Sequence, residues 1–306
     1  MTTQPPSGQQ LLIRHGAQRA TIVEVGGGPR EYAVGDWHVL DGYPVDQMCD
    51  GGRGQPLLPW PNRLEDGDYT FAGQSLHLPV DERDVHNAIH GLTRWANWAA
   101  DGVADDRVTM RLALYPRPGY PFTLALAVQY QLDATGLTVR TTARNDGPVP
   151  LPFGAGYHPY VSVGTERIDD AELLVPARSS LEANERKLPT GRLLPVEGTE
   201  KDFRQFGRIG RVQLDTCFTD LVRGPDGLAR VRLRAANGHA ATLWLDGWYE
   251  YLMVYTGDTL APPRRRQGLA VEPMTCPANA YRTGVGLRVL APGESSTGVW
   301  GIQPGD

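Results

Sequence analysis

The sequence predicts an all-β fold, a large single-domain antiparallel β-sandwich, and two observations support this. Gly (36 residues) and Pro (25 residues) are both frequent, which is typical of many turns between short strands. A helical stripe of apolar residues with caps at both ends is nearly absent, which favours packed sheets over an α/β fold. Runs with strand propensity lie at 20–25, 68–71, 108–115, 123–132, 137–144, 231–234, 241–245 and 251–255.

Two turn signals indicate where strands fold back into hairpins. The loop 133–136 separates two of the β-rich runs, and the dipeptide Asn237-Gly238 separates two others. The stretch 181–201 is polar and contains two prolines, so we expect a loop there.

No linker or internal repeat divides the 306-residue chain, so we expect one domain over residues 11–306. Residues 1–10 lack the basic and apolar regions of a signal peptide, and we expect them to form a disordered lead. No apolar run is long enough to span a bilayer, so a membrane is not an expected partner. The cysteines Cys49, Cys217 and Cys276 show no metal-ligand spacing, which favours a reduced, cytoplasmic setting without a metal site.

The charge pattern excludes nucleic acid as an expected partner. Charged residues make up 21% of the chain, and the formal net charge is -5, with Lys and Arg scattered along the sequence. The local exception is the run Arg264-Arg265-Arg266, which we interpret as a solvated loop.

Two segments in the first third of the chain combine polar side chains with rigid flanks. In Leu58-Pro59-Trp60-Pro61-Asn62-Arg63, the prolines fix the chain before Asn62 and Arg63, whose side chains can donate several hydrogen bonds to sugar hydroxyls. A turn whose arginine pairs with a surface carboxylate is the alternative. His90 lies before a glycine and can closely approach a ligand, although a lone histidine is more often structural. The nearby Trp95 and Trp98 are more often core residues than sugar platforms.

Two later segments carry an isolated histidine and an isolated glutamate. Pro159 disfavours helix at His158, which we place at a strand end or bulge, and its imidazole can exchange a proton near neutral pH. Glu272 ends an apolar run before a proline, so its carboxylate requires partners in a pocket or pairs with a nearby arginine. We interpret Cys276 as a small buried residue, because no sequence feature marks it as an activated thiolate.

Five motifs in order resemble the aldose 1-epimerase (galactose mutarotase) family. They are NRL followed by G-x-Y-x-F, N-A-I-H-G-L, P-F-G-x-G-Y-H-P-Y, L-D-T-C-F and V-E-P-M-T-C-P. The resemblance extends from about Leu12 to Gly301, and it implies a galactose mutarotase-like supersandwich with an open cleft. The segment that begins at the glutamate, EPMTCPANA, differs from that of the best-known galactose mutarotases. This difference affects the predicted identity of the sugar more than the predicted reaction.

The resemblance also implies the roles of individual residues. His158 matches the general acid of the family, and Glu272 matches its general base. His90 matches a second histidine that contacts the sugar near its ring oxygen, and Arg63 matches a sugar-binding arginine. The remaining matches are Asn62, which supports the arginine, and Asp215, an aspartate that binds sugar hydroxyls. The implied enzyme needs no cofactor and no metal, acts on a monosaccharide and is a monomer or homodimer.

Such an enzyme interconverts the α and β anomers of a free aldose such as galactose or glucose. A base removes the proton of the anomeric hydroxyl while an acid protonates the ring oxygen, and the roles reverse when the open aldehyde recloses. We expect Glu272 to be ionised and His158 to be protonated, each favouring the charge of the other.

Three alternatives remain open. Arg264–Arg266 and Arg94 could complement the charge of an anionic sugar, such as a sugar phosphate or sulfonate. A non-catalytic carbohydrate-binding protein on the same scaffold would need neither His158 nor Glu272. A glycoside hydrolase or lyase would need two carboxylates, for which Glu272 and Asp215 are candidates.

Overall fold

The structure is a computed structural model that describes residues 4–305, and strands dominate it. The first half of this range contains β1 (Gln10–His15), β2 (Gln18–Val23), β3 (Pro29–Val34), β4 (Trp37–His38), β5 (Pro56–Leu57), β6 (Arg63–Glu65), β7 (Asp68–Phe71), β8 (Gln74–His77), β9 (Asn87–Ile89), β10 (Ala99–Asp101), β11 (Arg107–Leu114), β12 (Leu124–Asp133) and β13 (Gly136–Asn145). The second half contains β14 (Leu151–Phe153), β15 (Gly156–Tyr157), β16 (Tyr160–Val161), β17 (Ala171–Leu174), β18 (Ala177–Ala183), β19 (Pro189–Pro195), β20 (Gly207–Arg208), β21 (Asp215–Leu221), β22 (Ala229–Ala235), β23 (Ala240–Leu245), β24 (Tyr251–Tyr255), β25 (Leu269–Met274), β26 (Arg288–Leu290) and β27 (Ser295–Pro304).

Helical structure is confined to short turns. Between residues 4 and 305 there is one α-helix, α1 (Ala280–Thr283), and there are two 3₁₀ turns, Ile168–Asp170 and Pro262–Arg264. No helix in this part of the chain is long and apolar enough to cross a membrane. The all-β prediction is confirmed.

Two large antiparallel sheets form the body of the described chain. The nine-stranded sheet has the order β10-β11-β12-β13-β27-β23-β22-β17-β20. The eight-stranded sheet has the order β19-β18-β21-β24-β25-β15-β5, and β16 also pairs with β25. The strands β1 to β4 form a separate four-stranded sheet.

The two large sheets bury their apolar side chains against each other. Along β12, every second residue is buried, as the alternation in its sequence predicts. Val128 of this strand lies in the same apolar cluster as Phe218 and Leu252 of the other large sheet. The ring of Tyr157 on β15 lies 5.1 Å, centroid to centroid, from the ring of Trp300 on β27. The antiparallel sandwich predicted from the sequence is therefore confirmed.

Both predicted hairpins are present, but the predicted loop at 181–201 is wrong. Strands β12 and β13 pair as far as the turn of residues 133–136, and β22 and β23 pair on either side of Asn237-Gly238. Much of the stretch 181–201 instead belongs to β18 and β19. Because β19 is an edge strand with a proline at each end, the missing N–H groups are tolerated there.

The expected disorder of residues 1–10 is wrong for residues 4–10, whereas residues 1–3 lie outside the described residues. Ser7 is 3% exposed, and its carbonyl accepts a hydrogen bond of 3.0 Å from the N–H of Val25. Gln10, the first residue of β1, donates from its side-chain amide to the Ser7 hydroxyl at 2.9 Å. These contacts hold the segment against the first sheet.

A close backbone contact joins the loops that follow β5 and β9. Gly91 has a φ of +75°, and a Cβ on this residue would lie 2.1 Å from the carbonyl oxygen of Leu58. The same carbonyl accepts a hydrogen bond of 2.7 Å from the N–H of Leu92. Only glycine fits this approach, because any side chain would push the two loops apart.

We expect Gly91→Ala to destabilise the protein much more than Gly73→Ala. Gly73 has a similar φ of +77°, but a Cβ there would meet nothing within 4 Å. The control therefore carries the cost of the backbone conformation alone, ~1 kcal/mol, whereas Gly91→Ala adds a clash worth ~2 kcal/mol or more. Urea unfolding measures both losses, and equal losses would show that the contact with Leu58 is unimportant.

Candidate active site

The floor of the candidate site is built by the register of the eight-stranded sheet. Gly156 pairs with Met274 and Tyr160 pairs with Ala270, so the same antiparallel register sets His158 opposite Glu272. The sequence suggested that Glu272 ends a strand, but it lies within β25. His158 lies between β15 and β16, which confirms its expected place at a strand end.

This register continues across the neighbouring strands. Met253 pairs with both Glu272 and Cys217, which completes one row across the sheet. In the next row on the same face, Tyr255 pairs with Asp215 and with Ala270. Residues that are distant in sequence therefore meet on one face of the sheet.

A cleft of about 270 Å³ opens above this face. Its walls come from the loops around β5, β6 and β9 and from the loop between β18 and β19. All six residues that the sequence singled out line the cleft, namely Asn62, Arg63, His90, His158, Asp215 and Glu272. A larger surface depression of about 540 Å³ around Arg30, His38 and Asp41 contains none of the six.

His158 and Glu272 form a buried pair at the base of the cleft. The Nε2 atom of His158 lies 3.3 Å from Oε1 of Glu272, and the two side chains are only 8% and 3% exposed. The other polar atoms of the pair, Nδ1 of His158 and Oε2 of Glu272, have no hydrogen-bond partner among residues 4–305. Both of these atoms are themselves buried, so neither bulk water nor another side chain of the described residues satisfies them.

Burial changes the proton affinities of both groups. It lowers the pKa of His158, and the cations of Arg53, Arg94 and Arg63 lower it further. Burial also raises the pKa of Glu272 well above its ordinary value, with a further increase from Asp215. We expected the two charges to stabilise each other, but desolvation opposes the charged form of each group. The expectation that both groups are charged is therefore not supported by these pKa shifts.

His90 is held as a neutral hydrogen-bond donor. Its ring Nδ1 atom accepts a hydrogen bond of 3.2 Å from the backbone N–H of Asn62, and the backbone N–H of His90 donates to the carbonyl of Asn62 at 2.9 Å. Burial lowers the pKa of His90 well below its ordinary value. Because Nδ1 accepts, the single proton of the neutral ring is on Nε2. The rings of His90 and His158 meet edge to face, with centroids 5.5 Å apart.

Arg63 is anchored by a carboxylate that the sequence did not reveal. Its Nε and Nη2 atoms both donate to Glu82 at 2.7 Å, and Nη1 donates to the side-chain oxygen of Asn62 at 3.3 Å. The pKa of Arg63 is raised, since these bonds to Glu82 outweigh the effect of burial. These three bonds leave one N–H on Nη1 and one on Nη2 for a ligand. Glu82 lies in a loop without any motif, so no sequence signal pointed to it.

Asp215 is paired with a second residue that sequence analysis missed. The Nζ atom of Lys187 donates to Oδ2 of Asp215 at 2.7 Å. Lys187 lies between β18 and β19, in the stretch expected to be a loop, and has a φ of +60°. Both side chains line the cleft. Asp215 thus presents one carboxylate oxygen, while Lys187 adds a cation beside it.

The two tryptophans near His90 differ in their environment. Trp98 is buried at 2% exposure, whereas Trp95 is 52% exposed and lines the cleft beside Arg94. Trp98 is therefore a core residue, as expected for most tryptophans, and Trp95 is available as a sugar platform. Arg94 donates to Asp81 at 3.1 Å, but its buried Nε atom has no partner in the described chain.

The basic run 264–266 is not among the residues that line the cleft, and the solvated-loop interpretation is wrong for two of its members. Arg264 lies 3.1 Å from Asp41, and Arg266 is 7% exposed and pairs with Asp169 and Asp258. Only Arg265 is exposed. Cys276 is buried, as expected, and burial raises its pKa. Within residues 4–305, no group of three or more His, Cys, Asp or Glu side chains is arranged to hold a metal ion.

The chain is similar to known proteins over nearly its whole length. The sequence model of the Aldose 1-epimerase family matches residues 9–303. The uncharacterized protein YihR of Escherichia coli (strain K12) is 34% identical over 289 residues, which cover 94% of this chain and 91% of YihR. Galactose mutarotase of Rattus norvegicus is 31% identical over 154 residues, which cover 49% of this chain and 44% of that protein.

Solved structures share the fold at lower identity. Galactose 1-epimerase from Lactobacillus acidophilus NCFM has a TM-score of 0.80 at 21% identity, covering 96% of this chain and 94% of that chain. The GalM/aldose epimerase homologue from C. elegans has a TM-score of 0.85 at 17% identity, covering 97% and 99%. These similarities confirm the galactose mutarotase-like sandwich. From the family match and the likeness to YihR, we conclude that this chain belongs to the aldose 1-epimerase family.

Proposed function

We propose that this protein is a mutarotase that interconverts the α and β anomers of a free aldose such as galactose or glucose. The observation that carries the proposal is the buried contact between Nε2 of His158 and Oε1 of Glu272 at the base of a sugar-sized cleft. The anomeric hydroxyl oxygen and the ring oxygen of a pyranose are bonded to the same carbon. An acid and a base 3.3 Å apart can therefore act on both oxygens at once.

The reaction follows from this placement. Glu272 removes the proton of the anomeric hydroxyl, and His158 donates a proton from Nε2 to the ring oxygen as its bond to C1 breaks. The open aldehyde rotates about the bond between C1 and C2. On closure, His158 takes back the proton from the attacking hydroxyl, and Glu272 returns one to the carbonyl oxygen. No net proton or electron is gained or lost, because the sugar changes only its configuration at C1.

The shifted pKa values fit this chemistry when the pair is counted as a unit. A neutral imidazole beside a protonated carboxyl holds the same number of protons as an imidazolium beside a carboxylate. Transfer of one proton from Glu272 to Nε2 of His158 therefore converts the resting neutral pair into the working acid and base. The hydroxyl groups of a bound sugar bring hydrogen-bond donors to the desolvated carboxylate and favour this charged arrangement.

The surrounding residues supply binding and orientation. His90 donates from Nε2 toward the ring-oxygen side, since its Nδ1 atom is already used. Arg63, which Glu82 holds in place, donates hydrogen bonds to sugar hydroxyls. Asp215, which Lys187 holds in place, accepts hydrogen bonds from them. Trp95 offers an exposed aromatic face for the apolar face of the pyranose.

The comparisons support the proposal at the level of the family. Relatives named galactose mutarotase match about half of this chain, and one solved structure of the same fold is named galactose 1-epimerase. YihR, which matches nearly the whole chain, is described as uncharacterized. The preferred aldose therefore has to be found by experiment.

We expect Glu272→Gln and His158→Asn each to reduce kcat for mutarotation by ~10²–10⁴-fold, because each removes one proton-transfer group. Polarimetry with freshly dissolved α-glucose and α-galactose measures the rate. Circular dichroism should show an intact fold in both variants. Full activity in either folded variant would remove that residue from the mechanism.

Arg63→Ala and Asp215→Asn serve as contrasting variants in the same assay. Each should raise KM with a smaller loss of kcat, since each removes binding to hydroxyls rather than proton transfer. If the wild-type protein binds sugars without accelerating anomer exchange, the protein is a carbohydrate-binding protein and not a mutarotase. Release of reducing sugar from glycosides would instead indicate a hydrolase.

We expect Glu272→Gln to stabilise the protein increasingly as the pH rises above 4.5, the ordinary pKa of glutamate. Glu272 loses its proton near that pH when unfolded but keeps it when folded, because burial raises its pKa. The folded state therefore binds more protons, and the free energy of unfolding falls by up to ~1.4 kcal/mol per pH unit. Glutamine has no such titration. Chemical unfolding of both proteins from pH 4 to pH 8 measures the difference, which a pH-independent result would contradict.

An anionic sugar is a second candidate substrate, and the position of Arg94 favours it. This guanidinium lines the cleft, and its Nε atom lacks a partner in the described chain despite being buried. Burial lowers the pKa of Arg94, which indicates a cation with incomplete solvation. The Nη2 atom of Arg94 already donates to Asp81 and to the carbonyl of Ile89, so a sulfonate or phosphate group on the sugar would accept from Nη1. The run 264–266, by contrast, no longer supports this candidate.

For the anionic candidate, we expect Arg94→Met to remove a preference for charged sugars selectively. NMR anomer-exchange rates for glucose and for its 6-phosphate or 6-sulfonate analogue give kcat/KM for each. The variant should lose ~10–100-fold on the anionic sugar and little on glucose, because a charge-assisted hydrogen bond contributes ~1.5–3 kcal/mol. Arg265→Ala, which changes an exposed arginine, is the control. No preference for either anionic sugar in the wild-type protein would exclude this candidate.

A further inference from the structure

The imidazole of His158 lies in a stack of flat groups. The ring of Tyr160 is parallel to it within 15°, with centroids 4.9 Å apart. The guanidinium of Arg53 lies over the Tyr160 ring, 4.4 Å from its centroid. Gly52 packs against the imidazole, and a Cβ on this glycine would lie 3.1 Å from Cδ2 of His158.

This stacking replaces the hydrogen bond that usually orients a catalytic histidine. In many enzymes, the ring nitrogen remote from the substrate donates to a carboxylate or a carbonyl. Here Nδ1 of His158 is buried and has no hydrogen-bond partner on any other residue among 4–305; its one polar neighbour is the backbone of His158 itself. The orientation of the ring therefore depends on packing against Tyr160, Gly52 and His90.

Arg53 is itself held rigidly behind Tyr160. Its side chain is 1% exposed and donates to Asp50 at 2.8 Å and to Asp41 at 3.2 Å. Arg264 pairs with Asp41 at 3.1 Å from the other side, so the basic run strengthens this cluster instead of facing the cleft. The Tyr160 hydroxyl donates to the carbonyl of Gly51 at 3.1 Å, in the same loop as Arg53.

We infer that Arg53 is a positioning residue for the imidazole of His158 and acts through the stacked ring of Tyr160. The inference rests on the proposed mutarotase function, because it assigns the stack to the acid of that reaction. A cation over the outer face of the tyrosine attracts its π-electrons and fixes the ring, and the ring fixes the imidazole. Neither Arg53 nor Tyr160 is given a proton-transfer step.

Arg53 also contributes charge to the environment of His158. The charged groups that influence the imidazole are the cations Arg53, Arg63 and Arg94 and the carboxyl of Glu272 on β25. The neutral His90 meets it edge-on. Since Arg53 opposes protonation of His158, its removal should move the titration of the imidazole to higher pH.

The first test compares Tyr160→Leu with Tyr160→Phe. We expect Tyr160→Leu to lower kcat by ~10–100-fold with a smaller change of KM, because a misaligned acid slows the reaction while Arg63 and Asp215 are unchanged, although Tyr160 itself lines the cleft. Tyr160→Phe keeps the stacked ring and should restore most of kcat. Trp37→Leu is a matched control, since Trp37 stacks on His239 at 4.4 Å and 16°, away from the cleft.

A second test asks whether Arg53 acts through Tyr160. Arg53→Met should lower kcat, and the double variant with Tyr160→Leu should lose no more than Tyr160→Leu alone, because the two residues act on the imidazole in series. The imidazole C–H signals of His158 in NMR spectra provide a readout independent of activity. They should be shifted by the ring of Tyr160 in the wild type and in Tyr160→Phe, and they should lose that shift in Tyr160→Leu.

Wild-type kcat in a folded Tyr160→Leu protein, or additive losses in the double variant, would overturn the inference. If Arg53→Met does not fold, the two Tyr160 variants still decide whether the stack positions the imidazole. A wild-type protein without mutarotase activity would overturn the proposed function instead. In that case, the NMR signals still test the stack on their own. If the His158 signals are unchanged in Tyr160→Leu, the ring of Tyr160 does not orient the imidazole.

Discussion

The site depends on a carboxyl group buried in the middle of a paired strand. Glu272 lies on β25, with Met253 on one side in the register and His158 on the other. At 3% side-chain exposure, the carboxyl has little contact with water, and burial raises its pKa. A surface glutamate would be ionised and solvated, and it would be a weaker base for a sugar hydroxyl. The sheet therefore creates the chemistry by removing solvent from one residue.

Burial of these two groups lowers the stability of the folded protein, but it also prepares them for proton transfer. A desolvated Glu272 and a desolvated His158 retain one proton between them, and the contact at 3.3 Å lets that proton move when a sugar arrives. Around them, most charged side chains are already paired, as Arg63 is with Glu82 and Lys187 is with Asp215. Such pairs hold binding groups in position before the substrate enters, which lowers the entropy lost on binding.

Local patterns in the sequence predicted the strands and hairpins well, because alternation and turn residues act over a few positions. The edge strand β19 was missed because its prolines, Pro189 and Pro195, look like loop residues unless the edge position is known. All six candidate site residues line one cleft, but they were identified by resemblance to a family, since the register that joins His158 to Glu272 is long-range. Glu82 and Lys187 carry no local signal at all. Their roles follow only from partners that are distant in the chain.

The central claim is that one pyranose contacts both members of the buried pair. A crystal structure of the Glu272→Gln variant with bound galactose or glucose tests it most directly, because glutamine keeps the size and shape of the glutamate side chain at the proposed point of contact. The account predicts the anomeric oxygen within hydrogen-bond distance of the side chain at position 272 and the ring oxygen within that distance of Nε2 of His158. A sugar bound in the cleft with its anomeric carbon remote from both side chains would contradict it.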